Sequence, residues 1–191
     1  MEKILFIDAA ARQESRTREL ASYLTGKLQG NVHRLALYET DIPRLDAARL
    51  EWRNQCCADG NFEDVYFSLA KELAAADIIV IAAPYWDLSF PAVLKQYLEA
   101  VSVTGITFTY SEKGVPVGLC AARKLYYVTT AGGRIFNDEP GYGYVRSLFT
   151  DMYGVKEAAC IKAEELDIFG ADIGGIMDAA RADIDALLAR G

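Results

Sequence analysis

Histidine and paired cysteines are almost missing from this chain. Among 191 residues there is one histidine, His33, and four cysteines, none of which stand at C-x-x-C or zinc-ligand spacing. A single imidazole without a partner is rarely a metal ligand or a catalytic base. The composition therefore argues against histidine-dependent hydrolases and most zinc enzymes, and we expect reduced thiols and no metal site.

Long apolar runs and an excess of basic residues are also lacking. No stretch approaches the ~18 apolar residues that a membrane-spanning helix needs, and Met1 to Lys3 lead directly into a strand-like run rather than a signal sequence. The formal net charge of −7 leaves little basic surface for nucleic acid or for an anionic membrane. We expect a cytoplasmic protein with neither of these as a partner.

Apolar strand-like runs alternate with helical periodicity along the chain. The predicted strands are 3–8, 31–37, 77–83, 124–130 and 155–163. The predicted helices are 17–29, 62–76, 91–102, 144–153 and 173–189. This alternation predicts one α/β domain over residues 1–191, with a parallel five-stranded sheet covered by helices on both faces.

Residues 37–60 stand outside this alternation. They contain no clear strand, and 24 residues exceed the ordinary length of a connection between elements. We expect the segment to hold a short helix, or to cover an active site or a partner subunit.

Three loops follow predicted strands at their carboxyl ends, where open α/β sheets bind ligands. They are residues 8–20, 84–91 and 129–134. Because the carboxyl ends of parallel strands meet at one edge of a sheet, we expect these loops to form one site. The first loop lacks the G-x-G-x-x-G of a dinucleotide-binding turn, which argues against tight NAD binding at that position.

The middle loop is rich in aromatic residues, which turns seldom contain. The apolar run of residues 78–83 stops at Pro84, and Pro91 opens the next helix. Between the two prolines stand Tyr85, Trp86, Leu88 and Phe90. A flat, apolar ligand would account for this set. Packing in the core or against a second subunit is the alternative role for any one of them.

The first loop contains hydroxyl side chains and the third contains a pair of glycines. Ser15-Arg16-Thr17 begins a helix, where hydroxyls, free N–H groups and the positive helix end suit a phosphate monoester, with charge added by Arg12, Arg16 or Arg18. An ordinary helix cap is the alternative. Gly132-Gly133 lets the backbone approach a planar ligand and present N–H donors, although a structural turn uses the same residues.

Together the loops resemble those of the flavodoxin-like NAD(P)H:quinone oxidoreductases, and most closely the bacterial FMN-dependent NADH-azoreductases. The resemblance extends nearly from end to end. The motifs that carry it are Ser15-x-Thr17, Ala83-Pro84-Tyr85-Trp86-Asp87-Leu88 with Pro91-Ala92-x-Leu94-Lys95-x-Tyr97, Gly105-Ile106-Thr107-Phe108-x-Tyr110, and Thr130-x-Gly132-Gly133. It implies a flavodoxin-like three-layer sandwich with strand order 2-1-3-4-5.

The resemblance also implies roles for individual residues. Ser15, Arg16 and Thr17 would hold the phosphate of FMN. The loops that border the flavin ring would be Pro84, Tyr85, Trp86, Asp87 and Leu88 on one side, and Thr130, Ala131, Gly132 and Gly133 on the other. The substrate would lie near Trp86, Phe108, Tyr110 and Phe136, close to a dimer interface.

The activity implied is transfer of two electrons from NADH or NADPH through FMN to a quinone or azo compound, by a ping-pong mechanism in a homodimer. An electron carrier or a flavin-binding regulatory module without turnover is the alternative. The chain has Asp87 where the family usually has Asn, and Ala9 and Ala10 where Ser or Thr is usual at one of the two. Unlike Asn, an ionised Asp cannot donate a hydrogen bond, so we expect an effect on the flavin's potential and affinity.

Overall fold

The computed structural model describes residues 1–190. Its strands are β1 (Lys3–Asp8), β2 (Asn31–Ala36), β3 (Ile78–Ala82), β4 (Phe108–Tyr110), β5 (Pro116–Gly118), β6 (Lys124–Thr130) and β7 (Glu157–Ala163). Its α-helices are α1 (Arg16–Lys27), α2 (Ala47–Asp59), α3 (Ser68–Ala75), α4 (Ala92–Val101), α5 (Tyr144–Ser147) and α6 (Ile173–Leu188). Over this described range no helix combines the length and the apolar character needed to cross a membrane.

Five strands form a parallel sheet in the order β2-β1-β3-β6-β7. Counted along the chain, these parallel strands follow the order 2-1-3-4-5, so the predicted topology is confirmed. Asp8 at the end of β1 is paired with Ala82 at the end of β3, and Ala82 is paired with Val128 of β6. The loops that leave these three strands therefore start side by side at one edge of the sheet.

Two apolar clusters cover the two faces of the sheet. Successive side chains of a strand point to opposite faces, and in β3 Ile79 and Ile81 belong to one cluster whereas Ile78 and Val80 belong to the other. The first cluster includes buried residues of α3 and α4, and the second includes buried residues of α1 and α6. This arrangement is the expected three-layer sandwich.

The segment 37–60 contains the expected short helix, α2. Asp46 caps its start by accepting a hydrogen bond from the N–H of Arg49 at 2.9 Å. Gly60 ends it in the left-handed region, with φ of 65°. None of the residues of α2 is fully buried, which explains why its apolar periodicity was too weak to predict its bounds.

Three other segments differ from the predicted pattern. The helix expected over 62–76 starts only at Ser68, because Asp64 caps a separate 3-10 turn (Val65–Phe67) by accepting from the N–H of Tyr66 at 2.8 Å. Val65 is consequently 82% exposed rather than core-facing. The helix expected over 144–153 is the short α5 between two π-helical turns, Glu139–Gly143 and Leu148–Met152. The antiparallel pair β4 and β5 was not predicted.

Candidate functional site

A cavity of about 890 Å³ opens at the carboxyl edge of the sheet. It is lined by residues 10–19, 84–86 and 130–132, together with Ser22, Leu166 and Asp167. Its volume lies within the range of about 300–1,000 Å³ that is usual for small-molecule sites. The three loops thus converge, and the loop after β7 joins them as a fourth wall.

The first loop leaves a run of backbone donors at the start of α1. The Ser15 hydroxyl accepts from the N–H of Arg18 at 3.3 Å, and its carbonyl accepts from the N–H of Glu19 at 2.9 Å. Within residues 1–190, no N–H group from Ala11 to Thr17 donates a hydrogen bond. Several free N–H groups at the positive end of a helix favour an anion.

The three arginines of this loop have different surroundings. Arg16 donates to the carbonyl of Leu166 at 3.3 Å and to the carboxylate of Asp167 at 3.1 Å. The Arg18 guanidinium is engaged by Asp8 and by loop carbonyls. The Arg12 guanidinium has no hydrogen bond or ion pair within the described range, although Arg12 lines the cavity. Arg12 is therefore the cation of this loop that is available to a ligand.

Thr17 connects the first loop to the third. Its side chain is buried, and its Oγ1 lies 2.6 Å from Oγ1 of Thr130 at the end of β6. One hydroxyl donates to the other, so this contact fixes the start of α1 against the strand that carries the glycine pair.

The aromatic loop turns back on itself at Asp87 and Leu88. Trp86 and Ser89 exchange backbone hydrogen bonds of 2.9 and 2.8 Å, and the two residues between them have positive φ angles of 49° and 68°. This is the geometry of a type I′ turn, which favours Gly, Asn or Asp and is strained for leucine. The side chains of Asp87 and Leu88 are exposed at the tip and do not line the cavity.

Hydrogen bonds fix this turn to the segment after β6. The N–H of Tyr85 donates to the carbonyl of Thr130 at 2.9 Å, and its hydroxyl donates to the carbonyl of Asn137 at 3.1 Å. The hydroxyl of Ser89 donates to the carbonyl of Pro140 at 2.7 Å. These hydrogen bonds fix the turn against residues 130–140.

In the glycine loop, residues 130–133, the last three carbonyl groups bond to the loop after β7, whereas the N–H groups of the two glycines remain unpaired within residues 1–190. The carbonyls of Ala131, Gly132 and Gly133 accept hydrogen bonds from N–H groups of residues 165–167, at 2.9 to 3.2 Å. Within residues 1–190, the N–H groups of Gly132 and Gly133 donate to no acceptor. A Cβ on Gly132 would lie 2.4 Å from Oδ2 of Asp167, so this position tolerates little bulk.

Leu166 and Asp167 line the cavity without having been predicted as site residues from the sequence. The signal was present, since residues 164–168 follow a predicted strand at its carboxyl end, as the other three loops do. The loop contains no glycine pair, aromatic cluster or hydroxyl cap, so nothing distinguished it as a binding loop.

Three residues assigned to the substrate do not line this cavity. Phe108 is only 6% exposed and packs in the core, with its ring centroid 5.4 Å from that of Tyr110 and 6.5 Å from that of Tyr153. Tyr110 is half exposed, and Phe136 is 89% exposed on the segment after β6. Their contact with a substrate stays a prediction.

Burial suppresses the reactivity of two thiols. It raises the pKa of Cys120 and that of Cys160 to about 12 each. Because the thiolate is the reactive form, neither cysteine is suited to nucleophilic or redox chemistry near neutral pH.

Comparison with known proteins assigns the family. Residues 2–188 match a family model described as a flavodoxin-like fold. FMN-dependent NADH:quinone oxidoreductase 2 of Clostridium acetobutylicum is 36% identical over 189 residues, which cover 93% of each chain. The FMN-dependent NADH:quinone oxidoreductase of Lachnoclostridium phytofermentans is 34% identical over 182 residues, 91% of each chain.

Solved structures share the fold. An azoreductase from Bacillus anthracis str. Sterne superposes with a TM-score of 0.83 at 23% identity and covers all of both chains. An FMN-dependent NADH-azoreductase from Bacillus anthracis str. Ames Ancestor, in complex with FMN, gives 0.81 at 20% identity and covers 100% of this chain and 99% of its own. The chain belongs to the flavodoxin-like family that contains the FMN-dependent NADH:quinone oxidoreductases, and the resemblance inferred from its motifs is confirmed.

Proposed function

We propose that this protein binds FMN in the cavity at the sheet edge and passes two electrons from NADH to a quinone or azo compound. As a member of its family it is an oxidoreductase, with FMN as cofactor and NADH as electron donor. The observation that carries the assignment is that unpaired N–H donors of two loops meet at one cavity, whose wall includes residues 11–17 and Gly132, with Gly133 next to it in the chain. The donors of Ala11–Thr17 suit a phosphate, and those of Gly132 and Gly133 suit the polar edge of a flat ring.

The residues present fit FMN. We assign the phosphate to Ser15, Arg16 and Thr17 with the free N–H groups around them. The guanidinium of Arg12 would add positive charge, and it breaks no existing hydrogen bond or ion pair of the described residues to do so. Asp167 holds the Arg16 side chain in the cavity wall. The ring would then lie between the aromatic turn and residues 130–133, where small residues permit close approach of the backbone.

When bound, FMN supplies the atom that accepts hydride and the conjugated ring that passes two electrons on. The protein positions the reactants and stabilises charge. The N–H groups of Gly132, Gly133, Asp87 and Leu88 donate to no acceptor within the described residues. That of Gly132 lies in the cavity wall, where it is available to developing negative charge, and the other three lie on the two loops that border the cavity. The partly exposed ring of Trp86 offers an aromatic surface on which a nicotinamide or a flat acceptor can stack.

A ping-pong order and a homodimer are finer proposals. A single cavity at the sheet edge would admit NADH and the acceptor in turn, which favours ping-pong turnover. Large apolar side chains stand exposed on loops after three strand ends, namely Leu88, Phe136 and Phe169. Such side chains on neighbouring loops support burial against a second copy.

Steady-state kinetics test the proposal. Initial rates are measured while NADH is varied at several fixed concentrations of a benzoquinone, with flavin-free protein as the control. Parallel double-reciprocal lines are expected. Intersecting lines would exclude a ping-pong order, and absence of turnover by a flavin-loaded protein would favour an electron carrier.

A further inference from the structure

The loop assigned to the phosphate is built without the residues that usually shape such loops. Between β1 and Ser15 it contains three consecutive alanines, Ala9–Ala11, and neither a glycine nor a hydroxyl side chain. The side chains of these alanines offer no hydrogen-bond donor that could orient the carbonyl groups of the loop.

Arg18 supplies those donors from the first turn of α1. Its Nη2 donates to the carbonyl of Ala10 at 2.5 Å, and its Nη1 donates to the carbonyls of Arg12 and Gln13 at 2.7 and 2.8 Å. Its Nε donates to Oδ2 of Asp8 at 2.5 Å. One guanidinium therefore holds three loop carbonyls and one carboxylate at the same time.

Asp8 orients this guanidinium from the end of β1. Its side chain is fully buried, its Oδ1 accepts from the N–H of Ala10 at 3.0 Å, and its Oδ2 also accepts from Nε and Nη2 of Arg34 on β2, at 2.9 and 2.6 Å. Arg34 donates to no loop carbonyl. The cluster thus joins β1, β2 and α1, and within it only Arg18 donates to the loop carbonyls.

The peptide geometry links these carbonyls to the donors on the other side of the loop. A planar trans peptide directs its N–H opposite to its C=O, and no peptide bond in residues 1–190 is cis. Carbonyls of residues 10, 12 and 13 that point to Arg18 therefore direct the N–H groups of Ala11, Gln13 and Glu14 away from it. All three of these residues line the cavity.

We propose that Arg18, oriented by Asp8, is a positioning residue that shapes the phosphate-binding loop and so gives the protein its preference for FMN over riboflavin. The inference rests on the proposed function. Arg18 acts through the backbone and not by contact with the phosphate, because four of its five N–H donors are already engaged by Asp8 and by loop carbonyls. Lysine cannot replace it, since an ammonium is a single point with three donors whereas the guanidinium is a fork with five.

The test compares two flavins that differ only in the phosphate. Flavin-free wild type, Arg18→Lys and Arg18→Gln are titrated with FMN and with riboflavin, and thermal unfolding of each flavin-free protein checks the fold. We expect the Kd for FMN to rise at least tenfold in both variants, while the Kd for riboflavin stays within about twofold. Arg146→Gln, an exposed change on α5 with the same loss of charge, should leave both constants unchanged.

A second readout does not involve flavin. Inorganic phosphate at constant ionic strength should raise the unfolding temperature of the flavin-free wild type, and this rise should disappear in Arg18→Lys. Should the Arg18 variants fail to fold, Asp8→Asn removes the orienting charge and should lower the FMN preference at least threefold in a folded protein. An unchanged preference in that variant would overturn the proposal.

Other outcomes also decide the matter. Wild-type FMN preference in Arg18→Lys would mean that charge alone suffices and would overturn the positioning role. Equal weakening of FMN and riboflavin would reduce Arg18 to general support of the fold. If the wild type binds neither flavin, the proposed function itself fails, and this result is distinct from loss of the preference.

Discussion

Gly132 is the residue at which the site leaves no room for a side chain. In Gly132→Ala the new Cβ would meet the Asp167 carboxylate at 2.4 Å. That carboxylate is exposed and can move, so we expect the unfolding temperature to change little. Movement of the Asp167 carboxylate would disturb its ion pair with Arg16. The added methyl group would also keep a flavin ring from approaching the loop backbone.

The matched control for this change is its neighbour. A Cβ on Gly133 would meet no atom within 4 Å. Flavin titration should show several-fold weaker FMN binding for Gly132→Ala and wild-type binding for Gly133→Ala. Wild-type FMN affinity in both variants would remove the glycine loop from the flavin site.

Asp87 carries a charge at the tip of the aromatic turn. A nearby carboxylate opposes the gain of negative charge by a flavin, so Asp87→Asn should raise the reduction potential. Exposed charges interact by roughly 0.2–1 kcal/mol, and for a two-electron couple this corresponds to about 4–20 mV. Spectroscopic measurement of the reduction potential of the bound flavin checks this prediction, with Asp183→Asn on α6 as the control. A fixed or lower potential would place Asp87 away from the flavin.

Residue types at the site were predictable where the chemistry is local. The Ser15 cap, the prolines of the aromatic loop and the glycine pair follow from backbone rules that a sequence displays. The partners of Arg16 and Arg18 were not predictable, because Asp167 and Asp8 reach them only once β1, α1 and the loop after β7 are folded together.

At the scale of elements, the π-helical segment after β6 supports the aromatic turn. Asp138 stands at its start and accepts a hydrogen bond from Lys162 of β7 at 2.5 Å. This hydrogen bond lowers the pKa of Asp138. The stabilisation is therefore present above the ordinary pKa of an aspartate, about 4, and is lost as the pH falls through the lower value of the folded state.

Asp138→Asn tests this pH dependence. The side chains of Lys162 and Asp138 are about a third exposed, at 33% and 37%. We therefore expect the variant to lose only about 0.2–1 kcal/mol of unfolding free energy. Thermal unfolding should show the wild type more stable at pH 6, with the difference shrinking towards pH 3. A difference that grows on acidification would mean that another group dominates.

Strands were easier to predict than helices in this chain. The central parallel strands β1, β3 and β6 are buried almost throughout because helices cover both faces, and β1 and β6 match their predicted bounds. The helix α2 has no buried stripe, and β4 and β5 have three residues each. Neither α2 nor the β4–β5 pair has an apolar pattern long enough to predict its bounds, since the positions of these elements depend on tertiary contacts.

For the whole molecule we expect a homodimer. Phe136 and Phe169 are almost fully exposed on loops at the carboxyl edge, and burying both would stabilise a pair of subunits by roughly 1.5–3 kcal/mol for each side chain. Sedimentation equilibrium should give twice the chain mass of 21.0 kDa. The double change of both phenylalanines to serine should shift the equilibrium towards the monomer, whereas Val65→Ser, which removes a different exposed apolar side chain, should not. A monomeric wild type would contradict the dimer.

The proposed activity of this protein is transfer of electrons from NADH to a quinone through bound FMN. The most direct measurement is a pair of anaerobic half-reactions followed at the visible absorbance of the flavin. NADH should bleach the loaded protein, and a benzoquinone added after removal of NAD⁺ should restore the colour, each step at least as fast as steady-state turnover. Bleaching much slower than turnover, or colour that a quinone does not restore, would contradict the account.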